Sequence, residues 1–335
     1  MDGYGFNMFV HRWAEISQML ATDSASADFG TCNAIFTRSA IQQAVHMPQE
    51  PLLSALYKMF IPGGYLSRYV AWVSPGIRGK ILESIHASSD VALGCFHISS
   101  AAIEQLRQSV KATLATELRI SDNDILMAST VVAYAQGVIK HKAKHMEFDL
   151  LCWLKGTLLG LGSKKPRTFV ALEAVDIRPR MPNAQIANYT GNSAVAMMTL
   201  NPIDLLQMPA SLELLAQIAL SVRKSLTGVT SEYISQTVYG DAEADDAFRP
   251  HIYKAHFSER LMATNFTRFN LYTTNFGWGI PQSVVPLNLK FPKFVSFFPA
   301  HPSEGGYYIN IVAPEGVLRE MQTNEFWSAS FKREY

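Results

Sequence analysis

Asn275-Phe276-Gly277-Trp278-Gly279 is the stretch on which the reading of this chain turns, with Thr264-Asn265-Phe266 and Tyr272 ahead of it and Pro281 behind. Two glycines around a tryptophan read, taken alone, as a turn beside a buried aromatic ring. The surroundings carry more than a turn needs. A small polar pair, an aromatic and a tyrosine lead into the glycines, and a proline closes the run.

Working outward, the chain opens Met1-Asp2-Gly3-Tyr4-Gly5. A lone Asp-Gly is ordinarily a turn. It is no dinucleotide fingerprint, because the third glycine of G-x-G-x-x-G would fall at Met8. Phe6, Phe9, Val10, Trp13 and Ile16 follow at helical spacing, which predicts a helix starting just after Gly5. In mid-chain, Val175-Asp176-Ile177-Arg178-Pro179-Arg180 precedes Asn188-Tyr189-Thr190-Gly191-Asn192. An Arg-x-Arg at a strand end reads, by itself, as a solvated edge.

Together, in this order and at similar spacing, the three segments resemble the BAHD-type, CoA-dependent acyltransferases, which share the chloramphenicol-acetyltransferase-like fold. That family carries His-x-x-x-Asp-Gly, an aromatic-rich helix ending in a Trp-Ala pair (here Trp13-Ala14), Val-Asp-x-Arg-x-Arg and Asp-Phe-Gly-Trp-Gly. The resemblance runs from Asp2 to about Trp327. The chain departs from the pattern at Asn275, where the family has Asp, and the motif histidine would lie three positions ahead of Met1.

The resemblance implies a mixed α/β fold, with mixed sheets flanked by helices. It implies a partial first domain at residues 1–85 and a complete second domain at 90–335, as in an N-terminally truncated enzyme. The implied reaction is acyl transfer from acyl-CoA, acetyl-CoA foremost, to a small hydroxyl- or amine-bearing secondary-metabolite acceptor. CoA is then a co-substrate, with no permanently bound cofactor, no metal, and no nucleic-acid, membrane or obligate protein partner. Acyl transfer passes through a tetrahedral oxyanion, and the weakly nucleophilic acceptor needs a base near neutral pH, a role suited to histidine. The resemblance assigns Asp2 and Asn275 to the catalytic motifs. It puts Phe276, Gly277, Trp278 and Gly279 beside the CoA tunnel, with Thr264 or Asn265 as oxyanion donors. Gly3, Arg178 and Arg180 become structural, the arginines as partners for Asp2. Without the motif base the chain is expected to have little activity, with His97 and His301 the first substitutes to test. The alternative is a non-catalytic remnant or a binding or regulatory protein on the same fold. A peptide-synthesis condensation domain shares the first motif but fits Phe-Gly-Trp-Gly less well.

Composition bounds the rest. A chain of 335 residues can hold two domains or one large one, and 48% apolar against 17% charged residues describe a globular chain. A net charge of +1 gives no bulk reason to bind nucleic acid or anionic membrane. Three cysteines, Cys32, Cys95 and Cys152, are far apart and odd in number, which fits a reducing compartment. No signal peptide or membrane span is readable, so a cytoplasmic monomer is expected. His141 and His145 read as a solvated helix end, and Gly160–Lys165 lacks phosphate-loop spacing. Helices are predicted over Ser99–Thr116, from Ser121 (with Asp124 as a capping box) and along Leu212, Leu215, Ala219 and Val222. Strands are predicted at Phe169–Ile177, Phe294–Phe298 and Tyr307–Val312. Loops are predicted at 21–50, at Pro62-Gly63-Gly64 and at Asp241–Asp246.

Overall fold

The protein is seen here as a computed structural model that describes residues 3–21, 91–114, 117–144, 168–181, 189, 193–235, 237, 260–284 and 293–334. Asp2, Cys32, His145, Cys152, Gly160–Lys165 and the loops expected after Ala21, at Pro62–Gly64 and at Asp241–Asp246 lie outside the described residues.

In chain order the elements are α1 (Gly3–Ala21), β1 (Val91–Ile98), α2 (Ser100–Thr113), α3 (Asp122–Lys144) and β2 (Thr168–Asp176). Then come a 3-10 turn at Arg178–Arg180, β3 (Ala194–Pro202), α4 (Ile203–Leu206), α5 (Leu212–Thr227) and β4 (Arg260–Asn265). A second 3-10 turn at Leu271–Thr273, β5 (Phe294–Pro299), β6 (Tyr307–Pro314), α6 (Glu315–Gln322), α7 (Glu325–Ser330) and β7 (Lys332–Arg333) complete the series. The strands form one seven-stranded sheet in the order β3-β2-β4-β5-β6-β1-β7. The β2–β4 and β4–β5 pairs are parallel and the others antiparallel.

Helix α3 is the centre of the fold. Every residue from Asp124 to Gly137 is buried, so the helix is apolar nearly all round, as a helix enclosed on all sides must be. It lies against α5, α6 and the sheet. Its start carries half of the predicted capping box: the Ser121 backbone N–H donates to Asp124 Oδ2 at 2.6 Å. The other half is displaced, because Ser121 Oγ donates to the same carboxylate and accepts from Arg223 Nη2 of α5 at 2.6 Å. Arg223 Nε also donates to Asp124 Oδ2 at 2.9 Å, which makes an ion pair whose carboxylate is fully buried. A helix cap and an interhelical tie are thus one structure.

Two predicted boundaries shift for local reasons. Ser99 caps α2 from outside, its Oγ accepting from Ala102 N at 3.3 Å, and Leu114 ends the helix. Along β2 burial alternates, with Phe169, Ala171, Glu173 and Val175 buried. One face of that strand meets the helices, so the run is not buried on both sides.

Candidate functional site

The Phe-Gly-Trp-Gly stretch is a turn held by hydrogen bonds. Gly277 and Gly279 have φ of 110° and 112°, conformations that residues with a Cβ rarely adopt. At Gly279 a Cβ would meet nothing within 4 Å, so backbone conformation, not space, calls for glycine there. Asn275 Oδ1 accepts from the Gly277 amide at 2.9 Å and from the Gly279 amide at 3.0 Å, and so closes the turn on itself. Phe276 lies edge-on to Trp13 at 5.2 Å and stacks on Trp278 at 5.9 Å. The Trp278 ring is 86% exposed.

The turn is docked on α1. Gln18 Nε2 donates to the Asn275 carbonyl oxygen, and His11 Nε2 approaches Thr274 Oγ1 at 3.4 Å. Tyr4 meets Phe269 edge-on at 6.2 Å, and the Arg178 guanidinium lies 4.8 Å from the centre of the Tyr4 ring. The chain start, the Arg-x-Arg segment and the glycine turn, distant in sequence, therefore share one corner of the molecule. Phe6, Phe9 and Trp13 of α1 stay more than half exposed there.

The two arginines do different work. Arg178 is buried, with Nη1 on Asp176 Oδ1 at 2.8 Å and Nε on the Tyr189 carbonyl at 2.7 Å, and its guanidinium also lies over the Tyr4 ring. Arg180 turns the other way. Its Nη1 donates to the carbonyls of Leu226 at 3.1 Å and Val229 at 3.0 Å, capping the end of α5 with a cation. Burial lowers its pKa, and the neighbouring charges of Arg223 and Arg268 push the same way. Gly3 is the first residue of α1.

Thr264 and Asn265 end β4 and project from opposite faces of it. The Asn265 amide is already committed: Nδ2 donates to Asn123 Oδ1, while Oδ1 accepts from Thr267 N at 2.8 Å and Thr267 Oγ1 at 2.6 Å. Asn123 in turn donates to Glu173 Oε2 at 3.4 Å. Burial is the main cause that pushes Glu173 up to about 7; the Asn123 hydrogen bond opposes it, the Asp124 charge adds to it and Arg223 opposes it. The polar chain of Glu173, Asn123 and Asn265 was not read from the sequence. Its one visible signal was an acidic residue inside the apolar run Phe169–Ile177.

The two histidines weighed as substitute bases are held by loop groups. His97 Nε2 lies 3.0 Å from the Gly305 carbonyl. His301 Nδ1 lies 2.7 Å from Ser303 Oγ, and its ring meets Tyr272 edge-on at 5.1 Å. Cys95 is a buried cysteine of β1 that forms no disulfide among the described residues. Among the described residues no group of three or more His, Cys, Asp or Glu is placed to hold a metal ion, and no helix is long and apolar enough to cross a membrane.

A family model described as the Transferase family matches residues 100–326. Among solved structures, the F. sporotrichioides TRI101 complex with coenzyme A and T-2 is 16% identical, with a TM-score of 0.55 over 73% of this chain and 52% of that one. The F. graminearum TRI101 complex with coenzyme A and T-2 mycotoxin is 15% identical, with a TM-score of 0.54 over 97% of this chain and 64% of that one. This chain thus spans between about half and two thirds of the length of those structures. Nothing matches among curated proteins. The likeness establishes the fold, a mixed α/β sheet-and-helix architecture of the chloramphenicol-acetyltransferase-like kind.

Proposed function

The chain belongs to the Transferase family, the BAHD-type acyltransferases, and from that premise we propose that it serves acyl transfer from acyl-CoA to a small acceptor bearing a hydroxyl or an amine. The observation that carries this reading is the family match over residues 100–326, which spans both the Arg-x-Arg segment and the glycine turn. Support comes from the TRI101 structures, whose ligands are coenzyme A and a small mycotoxin.

In this reading Phe276–Gly279 forms the rim of the CoA site, and acetyl-CoA is the donor to try first. The capped turn gives that rim a fixed shape, because Asn275 satisfies two amides that would otherwise need water. The half-buried Thr264 hydroxyl is the preferred oxyanion donor. Asn265, whose amide is spent on Asn123 and Thr267, supports the strand end and does not reach for the oxyanion. In the resembled family the base is the histidine of His-x-x-x-Asp-Gly, and transfer is direct, without an acyl-enzyme. The motif aspartate of the family, Asp2 here, orients its loop through an arginine, and Arg178, which lies over the Tyr4 ring, is the candidate partner. Secondary metabolism, a cytoplasmic setting and a monomeric state belong to the same reading.

The test separates binding from chemistry. Saturating CoA should raise the thermal midpoint of the purified chain, since a ligand at about 100 Kd adds about 2.7 kcal/mol. Thiol release from acetyl-CoA with a panel of alcohols and amines should be slow for the sequence as given. It should rise about 10²–10⁴-fold when a His-x-x-x leader is placed ahead of Asp2. No midpoint shift at millimolar CoA would sink the proposal.

A further inference from the structure

Three of the four core-facing side chains of β2 are apolar: Phe169, Ala171 and Val175. The fourth is Glu173, 4% exposed. Its partners across the sheet are Met197 on β3 and Ala263 on β4, neither of which can bond to it. The carboxylate is held from the helix layer instead, by Asn123 of α3.

The hydrogen-bond chain that starts there has a fixed direction. The Thr267 backbone N–H can only donate, so Asn265 must turn Oδ1 towards it and Nδ2 towards Asn123. Asn123 must then present Oδ1 to Asn265 and Nδ2 to Glu173. The sequence of donors runs Thr267 to Asn265 to Asn123 to Glu173 and needs an acceptor at its end. Turning Asn123 over would set its Nδ2 against the Nδ2 of Asn265, donor against donor.

We infer that Glu173 is a positioning residue: acting through Asn123 and Asn265, its carboxylate holds the turn after Thr264–Asn265, and taking up a proton from solvent loosens that hold. The functional weight of the inference rests on the acyltransferase reading, in which Thr264 faces the thioester. A protonated Glu173 keeps one carbonyl oxygen as acceptor, but the bond loses its charge and about half its strength. The 3.4 Å link to Asn123 is the longest of the chain and yields first. Two charged groups act on Glu173 from the elements packed over it: Asp124 of α3, which favours the proton, and Arg223 of α5, which opposes it. Burial brings the carboxyl up to about 7, so the change falls in the neutral range.

The experiment follows Thr267 through pH. In the full chain, labelled for NMR, the Glu173 carboxyl carbon and the Thr267 backbone amide should titrate together with a midpoint near 7. In Glu173→Gln, an isosteric change, the Thr267 amide should be flat between pH 6 and 8. In Asn123→Ala, Glu173 should still titrate while Thr267 stays flat. A Thr267 amide that does not titrate in the wild type, or that follows the same curve in Glu173→Gln, overturns the inference. The functional arm is CoA affinity at pH 6 and 8. The wild type should weaken about threefold at the lower pH relative to Glu173→Gln, the scale of losing half of one charge-assisted hydrogen bond. Equal pH dependence in both proteins overturns the functional half. If neither protein binds CoA, the acyltransferase reading fails, while the NMR coupling decides the positioning role independently.

Discussion

Two tryptophans divide the molecule. Trp327 of α7 is 1% exposed, stacked on Phe331 at 4.0 Å and edge-on to Phe96 at 5.3 Å. Its backbone N–H donates to Asn324 Oδ1 at 3.1 Å, and Asn324 Nδ2 donates to Gln136 Oε1 of α3 at 2.7 Å. Trp278 is 86% exposed and touches Phe276 at 5.9 Å from a backbone held by two positive-φ glycines and one asparagine. The first corner is organised by burial, with polar groups serving the packing. The second is organised by hydrogen bonds, with aromatic rings left facing out. An aromatic residue in a sequence does not declare which of these it serves; the backbone beneath it does.

Replacing the two rings is the strongest way to break that contrast. Trp327→Ala should cost about 3–5 kcal/mol, the usual loss for a large ring taken from a closed core. Trp278→Ala should leave stability within about 0.5 kcal/mol, as surface changes do. Urea unfolding of both proteins reads this directly. A loss above about 1 kcal/mol for Trp278→Ala would mean that the glycine turn is packed after all. The Trp327 indole Nε1–H has no partner among the described residues. Trp327→Phe should therefore recover much of the loss, because it removes an orphaned donor while keeping a ring.

The next effect belongs wholly to the buried side. In the folded protein Glu173 keeps its proton up to about pH 7, whereas the unfolded chain releases it near 4.5. The native state thus binds more protons across that window, and stability falls as pH rises from about 4.5 to 7. The fall is about 3 kcal/mol at the usual 1.36 per unit. Glu173→Gln should be more stable than wild type at pH 8, with the advantage gone at pH 4. Urea midpoints at the two pH values would show it, and an unchanged pH slope in Glu173→Gln would place the proton elsewhere.

On the exposed side the glycines set the scale. Gly279→Ala places a Cβ at φ 112° with no clash to blame. The cost should be about 1–3 kcal/mol of backbone strain. It should appear as loss of order in the turn, measured by amide exchange at Gly277 and Gly279, more than as loss of global stability. Unchanged exchange would show that φ here is not what holds the turn.

What the sequence made legible follows the same division. Apolar residues at every third or fourth position marked α1, α2 and α5, while the near-continuous apolar runs of α3, β5 and β6 matched their nearly unbroken burial. The inner strand β4, Arg260–Asn265, was not seen: six residues that include Leu, Met and Ala carry no strand preference of their own and are made a strand by β2 and β5 on either side. β3, with Ala194, Ala196, Met197 and Met198, was missed as well; it is an edge strand held by its pairing with β2. The site's corner was legible as three motif segments. Its polar interior was not, because Asn123 and Glu173 lie 50 positions apart and meet only through the packing of α3 on the sheet.

The smallest effect tests the one departure from the family pattern. The resemblance to the family implies that an aspartate at position 275 pairs with an arginine, a contact on the order of 1 kcal/mol. The contacts around Asn275 supply a different partner: its Oδ1 accepts two backbone N–H groups, from Gly277 and Gly279. A carboxylate accepts in the same geometry and adds charge to both bonds. Asn275→Asp should therefore still gain about 1 kcal/mol at pH 7, and the source is the turn. The pH dependence distinguishes the two origins from a mere packing change. Hydrogen bonds to the ionised form lower the pKa of a carboxyl in the fold, so the gain is present above the ordinary aspartate value of about 3.9 and is lost as pH falls through the lower folded value. Thermal midpoints of the two proteins at pH 7 and pH 2.5 decide it. If Asn275→Asp melts lower at pH 7, then the Nδ2 hydrogens of Asn275 hold something the carboxylate cannot, and the turn has been rebuilt around asparagine.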